Sequence, residues 1–146
     1  MKRVIFIGET GSGKTTLMQI LNDWEIKYHK TQQVYFTDNV IDTPGEFMEN
    51  RFYYNALVSS AVGADCVAIV QSITSKQNYF PPCFSSRFTK PMIGIITKTD
   101  LEHSEDEFDL AKKRLRLAGA KKIFSLSSVN QDGISSLKEF LLKNEF

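Results

Sequence analysis

The sequence predicts an α/β protein built on a three-layer, doubly wound and mostly parallel six-stranded sheet. The first observation is a strand-like apolar run at 4–7 that leads directly into Gly8–Thr15, where the residues have the spacing G-x-x-x-x-G-K-[ST]. The second is that apolar runs and amphipathic helical patterns then alternate along the chain. Because β and α units joined by right-handed crossovers form parallel sheets, this order favours a doubly wound fold.

The individual elements follow from hydrophobic patterning. Strands are predicted near 2–8, 33–37, 39–42, 64–71, 91–97 and 121–126. Helices are predicted at 15–24, 48–61, 105–118 and 133–142. The third helix has the clearest ends, since Ser104 and Glu107 have capping-box spacing and Gly119 suits the residue after the last turn. Strand and helix patterns fill the whole length, so we expect one domain over 1–146.

Composition limits the classes of partner. The 146 residues carry a net charge of only +1, which gives no reason to expect a nucleic-acid partner. No stretch approaches the roughly 18 apolar residues of a membrane span. We therefore expect a cytoplasmic protein with neither a nucleic-acid nor a membrane partner.

The glycine-rich loop indicates phosphate binding. Glycines let several backbone N–H groups converge on one anion, and the helix that follows adds its positive end. Lys14 can then reach the β- and γ-phosphates, and the Thr15 hydroxyl can ligate Mg²⁺. The residues expected to contact a nucleotide here are Gly8, Glu9, Thr10, Gly11, Ser12, Gly13, Lys14, Thr15 and Thr16.

The motif D-T-P-G follows another strand-like run and begins at Asp42. This carboxylate can hold Mg²⁺ through a water, and the Gly45 N–H can approach a γ-phosphate. The ordinary alternative is a strand followed by a Pro-Gly turn. For the second hydroxyl on Mg²⁺ we favour Thr31 over Thr37 and Thr43.

The motif T-K-x-D at 97–100 predicts which base is bound. The Asp100 carboxylate only accepts hydrogen bonds, so it matches the adjacent N1–H and amine of guanine and not the acceptor N1 of adenine. A polar strand end is the alternative reading. The stem of Lys98 can lie along the purine, and the Ser128 N–H can meet the guanine O6. The residues expected around the base are Thr97, Lys98, Asp100, Leu101, Ser127 and Ser128.

Taken in order, these motifs resemble the Ras-like branch of the P-loop GTPases. Within that branch, the run from Lys30 through D-T-P-G-E to 49–51, together with the segment 80–84, resembles the EutP/PduV family. The resemblance implies a small GTP-binding protein that uses GTP/GDP and Mg²⁺. It also implies a link to ethanolamine or propanediol utilisation and to bacterial microcompartments.

Three departures from the Ras-like pattern affect hydrolysis. Glu46 stands where these enzymes place a water-orienting glutamine, and a carboxylate is repelled by a γ-phosphate, so we interpret it as a switch residue. Thr10 replaces a glycine and crowds an incoming arginine finger, and Gly11 replaces the asparagine of potassium-activated relatives. We expect slow hydrolysis, on the order of 10⁻⁴ to 10⁻² s⁻¹. The predicted catalytic residues are Lys14, Thr31, Gly45 and Glu46.

Two other functions stay open at this point. A small-molecule kinase, for example one acting on acetate with ATP, uses the same phosphate loop. A recruitment module that binds nucleotide without hydrolysing it is compatible with Glu46. If the protein binds GTP, as a switch or as a recruitment module, we expect a protein partner, such as a microcompartment component, at the region 31–54. The four aromatics within 46–54 either form its docking patch or face the core.

Overall fold

The computed structural model describes residues 2–22, 33–37 and 39–143. Its strands are β1 (Val4–Ile7), β2 (Tyr35–Phe36), β3 (Val40–Asp42), β4 (Cys66–Ser72), β5 (Met92–Thr97) and β6 (Ile123–Ser125). Within these described ranges they form one sheet of six strands in the order β2-β3-β1-β4-β5-β6. Only the β2–β3 pair is antiparallel. The predicted sheet and its strand number are confirmed.

The helices are α1 (Lys14–Leu21), α2 (Glu46–Glu49), α3 (Tyr54–Ala61), α4 (Glu105–Ala118) and α5 (Ile134–Leu142). Short 3₁₀ turns occupy Arg51–Tyr53 and Phe84–Arg87. α4 has the predicted bounds, because the Ser104–Glu107 capping box is formed and Gly119 takes a positive φ of 114°.

The predicted helix 48–61 is interrupted. Asn50 is extended, with φ −130° and ψ 117°, and its side chain accepts a hydrogen bond from the Phe52 N–H at 3.0 Å. An asparagine that caps the next turn ends the turn before it, so α2 and α3 are separate helices. The predicted helix 15–24 ends at Leu21 within the described part, and 23–24 lie outside it.

Two apolar layers sandwich the sheet. Alternate residues of β1 face opposite sides, with Val4 and Phe6 in one core and Ile5 and Ile7 in the other. α1 and α5 cover the first side, whereas α2, α3 and α4 cover the second. The connection between β4 and β5 packs Phe84 into the second core.

Parallel pairing brings the carboxyl ends of β1, β3, β4 and β5 to one edge of the sheet. β6 pairs parallel to β5 and ends at the same edge. The phosphate loop, D-T-P-G, T-K-x-D and the serines at 127–128 each lie at one of these strand ends, so the fold brings them to the same edge of the sheet. Among the described residues, no helix is both long and apolar enough to span a bilayer.

Candidate functional site

A cavity of about 600 Å³ lies at the carboxyl edge of the sheet. It brings the phosphate loop together with the T-K-x-D motif, although these are more than eighty residues apart in the sequence. A volume of this size is typical of small-molecule sites. The predicted residues that line it are Thr10, Gly11, Gly13, Lys14, Thr15, Thr16, Gly45, Thr97, Lys98, Asp100, Leu101 and Ser128.

Other predicted site residues lie behind the cavity wall or beside it. Within the described part of the chain, the wall does not include Gly8, Glu9, Ser12, Asp42, Glu46 or Ser127. Thr31, predicted as a metal and catalytic residue, lies outside the described residues. The two alternatives considered for this hydroxyl ligand, Thr43 and Thr37, donate to backbone carbonyls. The Thr43 hydroxyl donates to Phe6 at 2.7 Å, and the Thr37 hydroxyl donates to Val40 at 3.0 Å.

The phosphate loop is a tight turn that opens α1. The Ser12 N–H donates to the Glu9 carbonyl at 3.1 Å, and Gly13 has a φ of 102° immediately before the helix begins. A residue with a Cβ is strained at this φ, so the glycine is what allows the loop to turn into α1. The phosphate loop and the positive end of an eight-residue helix therefore line the same cavity.

Lys14 places a cationic side chain beside the phosphate loop. It is only 5 % exposed, and its Nζ donates to the Glu9 carbonyl at 3.0 Å. Burial lowers the pKa of Lys14, while the nearby carboxylates of Asp42, Glu49 and Glu9 act in the opposite direction. A buried ammonium group beside a cavity gains most from an anionic ligand, which offsets the solvation that burial removes.

Thr15 and Asp42 meet beside the loop. The Thr15 hydroxyl donates to Oδ2 of the fully buried Asp42 at 2.7 Å. One hydroxyl and one carboxylate are the donor set that fits Mg²⁺, which keeps most of its ligands as water and phosphate oxygens. In the described part of the chain no group of three His, Cys, Asp or Glu residues could hold a metal. An ion here would therefore depend on phosphate oxygens and water.

Gly45 lies directly against the phosphate loop. A Cβ placed on it would be 2.2 Å from the Thr10 backbone nitrogen and 2.4 Å from the Thr10 Oγ1. Only glycine permits this approach. α2 follows at once, and its last residue, Glu49, accepts a hydrogen bond from the Thr10 N–H at 3.2 Å. Neither Glu49 nor this contact is predicted by the motifs.

Two residues at the end of β5 form hydrogen bonds to the phosphate loop. The Thr97 hydroxyl donates to the Ser12 carbonyl, and the Lys98 Nζ donates to the Gly11 carbonyl at 2.6 Å. Lys98 has a φ of 61°, which lets the chain turn sharply after the strand. Its stem therefore extends toward the loop along the cavity wall. Threonine at 97 positions the loop through its hydroxyl.

Asp100 is held from behind by a serine. The Ser127 hydroxyl donates to its Oδ1 at 2.8 Å and accepts from the Asn130 N–H at 3.1 Å. Ser127 is fully buried, whereas Ser128 lines the cavity. Ser127 is thus placed to orient the carboxylate, which differs from the direct contact predicted from sequence.

Apolar residues in the wall were missed by motif reasoning. Leu17, Leu126 and Val129 line the cavity, and Val129 is 69 % exposed. Each of them stands one to two residues from a motif in the sequence, and this proximity is the signal that could have predicted their place in the wall. They give the cavity an apolar surface suited to a planar ring.

The aromatics of 46–54 divide between surface and core. Tyr54 is buried, and Phe47 stacks on Tyr53 with ring centroids 4.8 Å apart. Phe52 is 83 % exposed and meets Tyr53 edge-on. Core packing accounts for Tyr54 and in part for Phe47, which lies against the same core, so Phe52 is the most exposed of the four.

Comparison with known proteins identifies the family. The family described as "Ethanolamine utilisation - propanediol utilisation" (PduV-EutP) matches residues 1–143. "Propanediol utilization protein PduV" of Citrobacter freundii is 38 % identical over 145 residues, which cover 99 % of this chain and 96 % of that one. "Probable acetate kinase EutP" of Escherichia coli (strain K12) is 31 % identical over 143 residues, or 97 % of this chain and 89 % of that one.

A solved structure supports the fold independently. "Crystal structure of bacterial selenocysteine-specific elongation factor EF-Sec" matches with a TM-score of 0.68 at 21 % identity, covering 99 % of this chain and 29 % of that chain. The chain thus spans less than a third of that protein, and the likeness confirms the predicted fold class. The sequence matches cover nearly the full length at over 30 % identity. The chain therefore belongs to the PduV-EutP family, which is linked to ethanolamine and propanediol utilisation.

Proposed function

We propose that this protein binds guanine nucleotides with Mg²⁺ and hydrolyses GTP slowly, as a switch in ethanolamine or propanediol utilisation. The supporting observation is the single cavity that joins the phosphate loop to Asp100. Its lining includes Gly13 and Lys14, where phosphates would bind, and Ser128, near which a base would lie. The Asp100 carboxylate, oriented by Ser127, is an acceptor suited to guanine N1–H and its amine.

In this proposal each residue has one task. The loop N–H groups and Lys14 bind the phosphates, and Lys14 stabilises the charge on the transferred group. Thr15 and Asp42 hold Mg²⁺, which would neutralise phosphate charge. Gly45 admits the terminal phosphate, while Glu46 is exposed and lies beside the cavity, an arrangement that favours slow hydrolysis. A partner, such as a microcompartment component, would read the nucleotide state at 31–54.

A phosphotransferase is the second candidate, favoured by the relative named a probable acetate kinase. Transfer to acetate needs a cation for the acceptor carboxylate besides those on the phosphates. No arginine is among the described residues that line the cavity. Lys14 and Lys98 already donate to loop carbonyls. The GTPase proposal therefore stands first.

The deciding experiment is product analysis with purified protein. GTP or ATP is incubated with Mg²⁺, with and without acetate, and products are separated by ion-exchange chromatography while acetyl phosphate is trapped with hydroxylamine. The proposal expects GDP and phosphate from GTP at about 10⁻⁴ to 10⁻² s⁻¹, independent of acetate. Lys14→Ala is the control for contaminating activity. Acetyl hydroxamate formation would establish the kinase instead, and bound but intact GTP would establish a recruitment module.

A further inference from the structure

The contact between Glu49 and the phosphate loop is unusual in its chemistry. A phosphate loop presents backbone N–H donors to anionic oxygens. The Thr10 N–H is one of these, and its acceptor is the Oε1 of Glu49 at 3.2 Å. A carboxylate oxygen and a phosphoryl oxygen are both anionic acceptors, so they compete for the same donor.

The backbone fixes Glu49 in this place. Gly45 packs against the Thr10 backbone so closely that no Cβ fits between them. The Glu49 N–H donates to the Gly45 carbonyl at 3.2 Å, which closes the single turn of α2. A carboxylate at the end of this turn is thereby directed back to the loop.

The same carboxylate also acts on the cation. Glu49 and Asp42 both lie near enough to Lys14 to favour its charged form. A terminal phosphoryl group entering here would meet the Glu49 charge at a site where it needs Lys14 and the Thr10 N–H. A diphosphate, bound further along the loop toward Gly13 and α1, would not.

We propose that Glu49 is a specificity-determining residue that competes with the terminal phosphoryl of a nucleoside triphosphate and so favours the diphosphate. This inference rests on the proposed function and assigns one of its specificities to a residue outside the sequence motifs. Triphosphate binding displaces the Glu49 carboxylate from Thr10, and that displacement is the step that couples the ligand to α2. A diphosphate leaves the contact in place.

The test compares dissociation constants for GDP and the non-hydrolysable imido analogue of GTP, by calorimetry with Mg²⁺. Glu49→Gln removes the charge at nearly constant shape, and Glu49→Ala removes the acceptor as well. Both are expected to tighten the triphosphate analogue about tenfold and leave GDP within about twofold. Asp109→Asn is the matched control, since it removes one exposed carboxylate on α4, away from the cavity.

The outcomes separate this inference from the proposed function. Wild-type protein that binds both nucleotides, with an unchanged affinity ratio in both Glu49 variants, overturns the role of Glu49 alone. A wild-type protein that binds neither nucleotide overturns the proposed function and this inference with it. A tighter triphosphate in both variants but not in Asp109→Asn supports the competition.

Discussion

The two ends of the cavity differ in how their charged groups are held. At the end near Asp100 and Ser128, where the base is proposed to bind (the base end), the Ser127 hydroxyl donates to one oxygen of Asp100. At the phosphate end, Lys14 donates to the Glu9 carbonyl and Glu49 accepts from Thr10. The Ser127 hydrogen bond orients the Asp100 carboxylate before any ligand binds. At the phosphate end, by contrast, the Lys14 ammonium and the Thr10 N–H already have partners, which a bound phosphate would replace. In the proposed binding mode, a nucleotide would meet an acceptor that is already oriented at the base end and would exchange contacts at the phosphate end.

Asp100→Asn gives the largest expected effect and tests the base end alone. An amide loses the charge and one acceptor, so guanine is disfavoured and xanthine, with a carbonyl in place of the amine, is accepted. We expect the preference for GDP over xanthosine diphosphate to change by about four orders of magnitude. Competition against a fluorescent nucleotide measures it.

The control for Asp100→Asn is the affinity of this variant for xanthosine diphosphate. If the phosphate end is independent, the variant binds xanthosine diphosphate about as tightly as the wild type binds GDP. Unchanged guanine selectivity would show that Asp100 does not read the base.

Thr97→Val examines the connection between the two ends. It removes the hydroxyl that donates to the Ser12 carbonyl, and it keeps the shape of the side chain. Because this carbonyl would lose a buried donor, we expect the free energy of unfolding to fall by about 1–3 kcal/mol in denaturant titrations. Thr97→Ser restores the hydroxyl and should recover most of the loss. A valine variant as stable as the wild type would mean that the Thr97 hydroxyl does not stabilise the fold.

Ser127→Ala is a smaller perturbation of the base end. It leaves Asp100 in place but removes the donor at 2.8 Å from its Oδ1. One hydrogen bond of about 1 kcal/mol corresponds to roughly fivefold weaker GDP binding. Calorimetry on this variant and on Ser136→Ala, an exposed serine of α5, measures the difference. A loss equal in both variants would assign no role to the Ser127–Asp100 bond.

Lys14 allows a test of the phosphate end through pH, with the smallest expected effect. Burial lowers the pKa of Lys14 in the folded protein below its unfolded value. Between those two values the unfolded chain binds more protons, so stability rises with pH toward the unfolded pKa of about 10.4. Lys14→Met lacks this dependence. The wild type should gain stability relative to that variant in thermal unfolding as the pH rises toward the unfolded pKa.

Local signals explain which parts of the molecule the sequence could predict. α4 follows its capping box and Gly119 because both devices act within a few residues. The family and fold class follow from motifs in fixed order. The break at Asn50 was missed because an asparagine also occurs within helices, and its cap on Phe52 depends on the local backbone.

Tertiary contacts explain what the sequence could not predict. The bonds from Thr97 to Ser12 and from Ser127 to Asp100 join residues 85 and 27 positions apart. Nothing in the spacing of the motifs distinguishes a serine that touches a ligand from one that orients a neighbour. The same holds for Glu49, whose carboxylate reaches Thr10 across 39 positions.

The buried side chain of Met48 opposes movement of α2 as a whole. It precedes Glu49 on the same turn and is only 2 % exposed, packed into the core beneath the sheet edge. A rotation of the Glu49 side chain leaves this anchor untouched, whereas lifting the whole turn exposes Met48 at a cost of about 1.5–3 kcal/mol. Moving the whole turn therefore needs more free energy than rotating the Glu49 side chain alone.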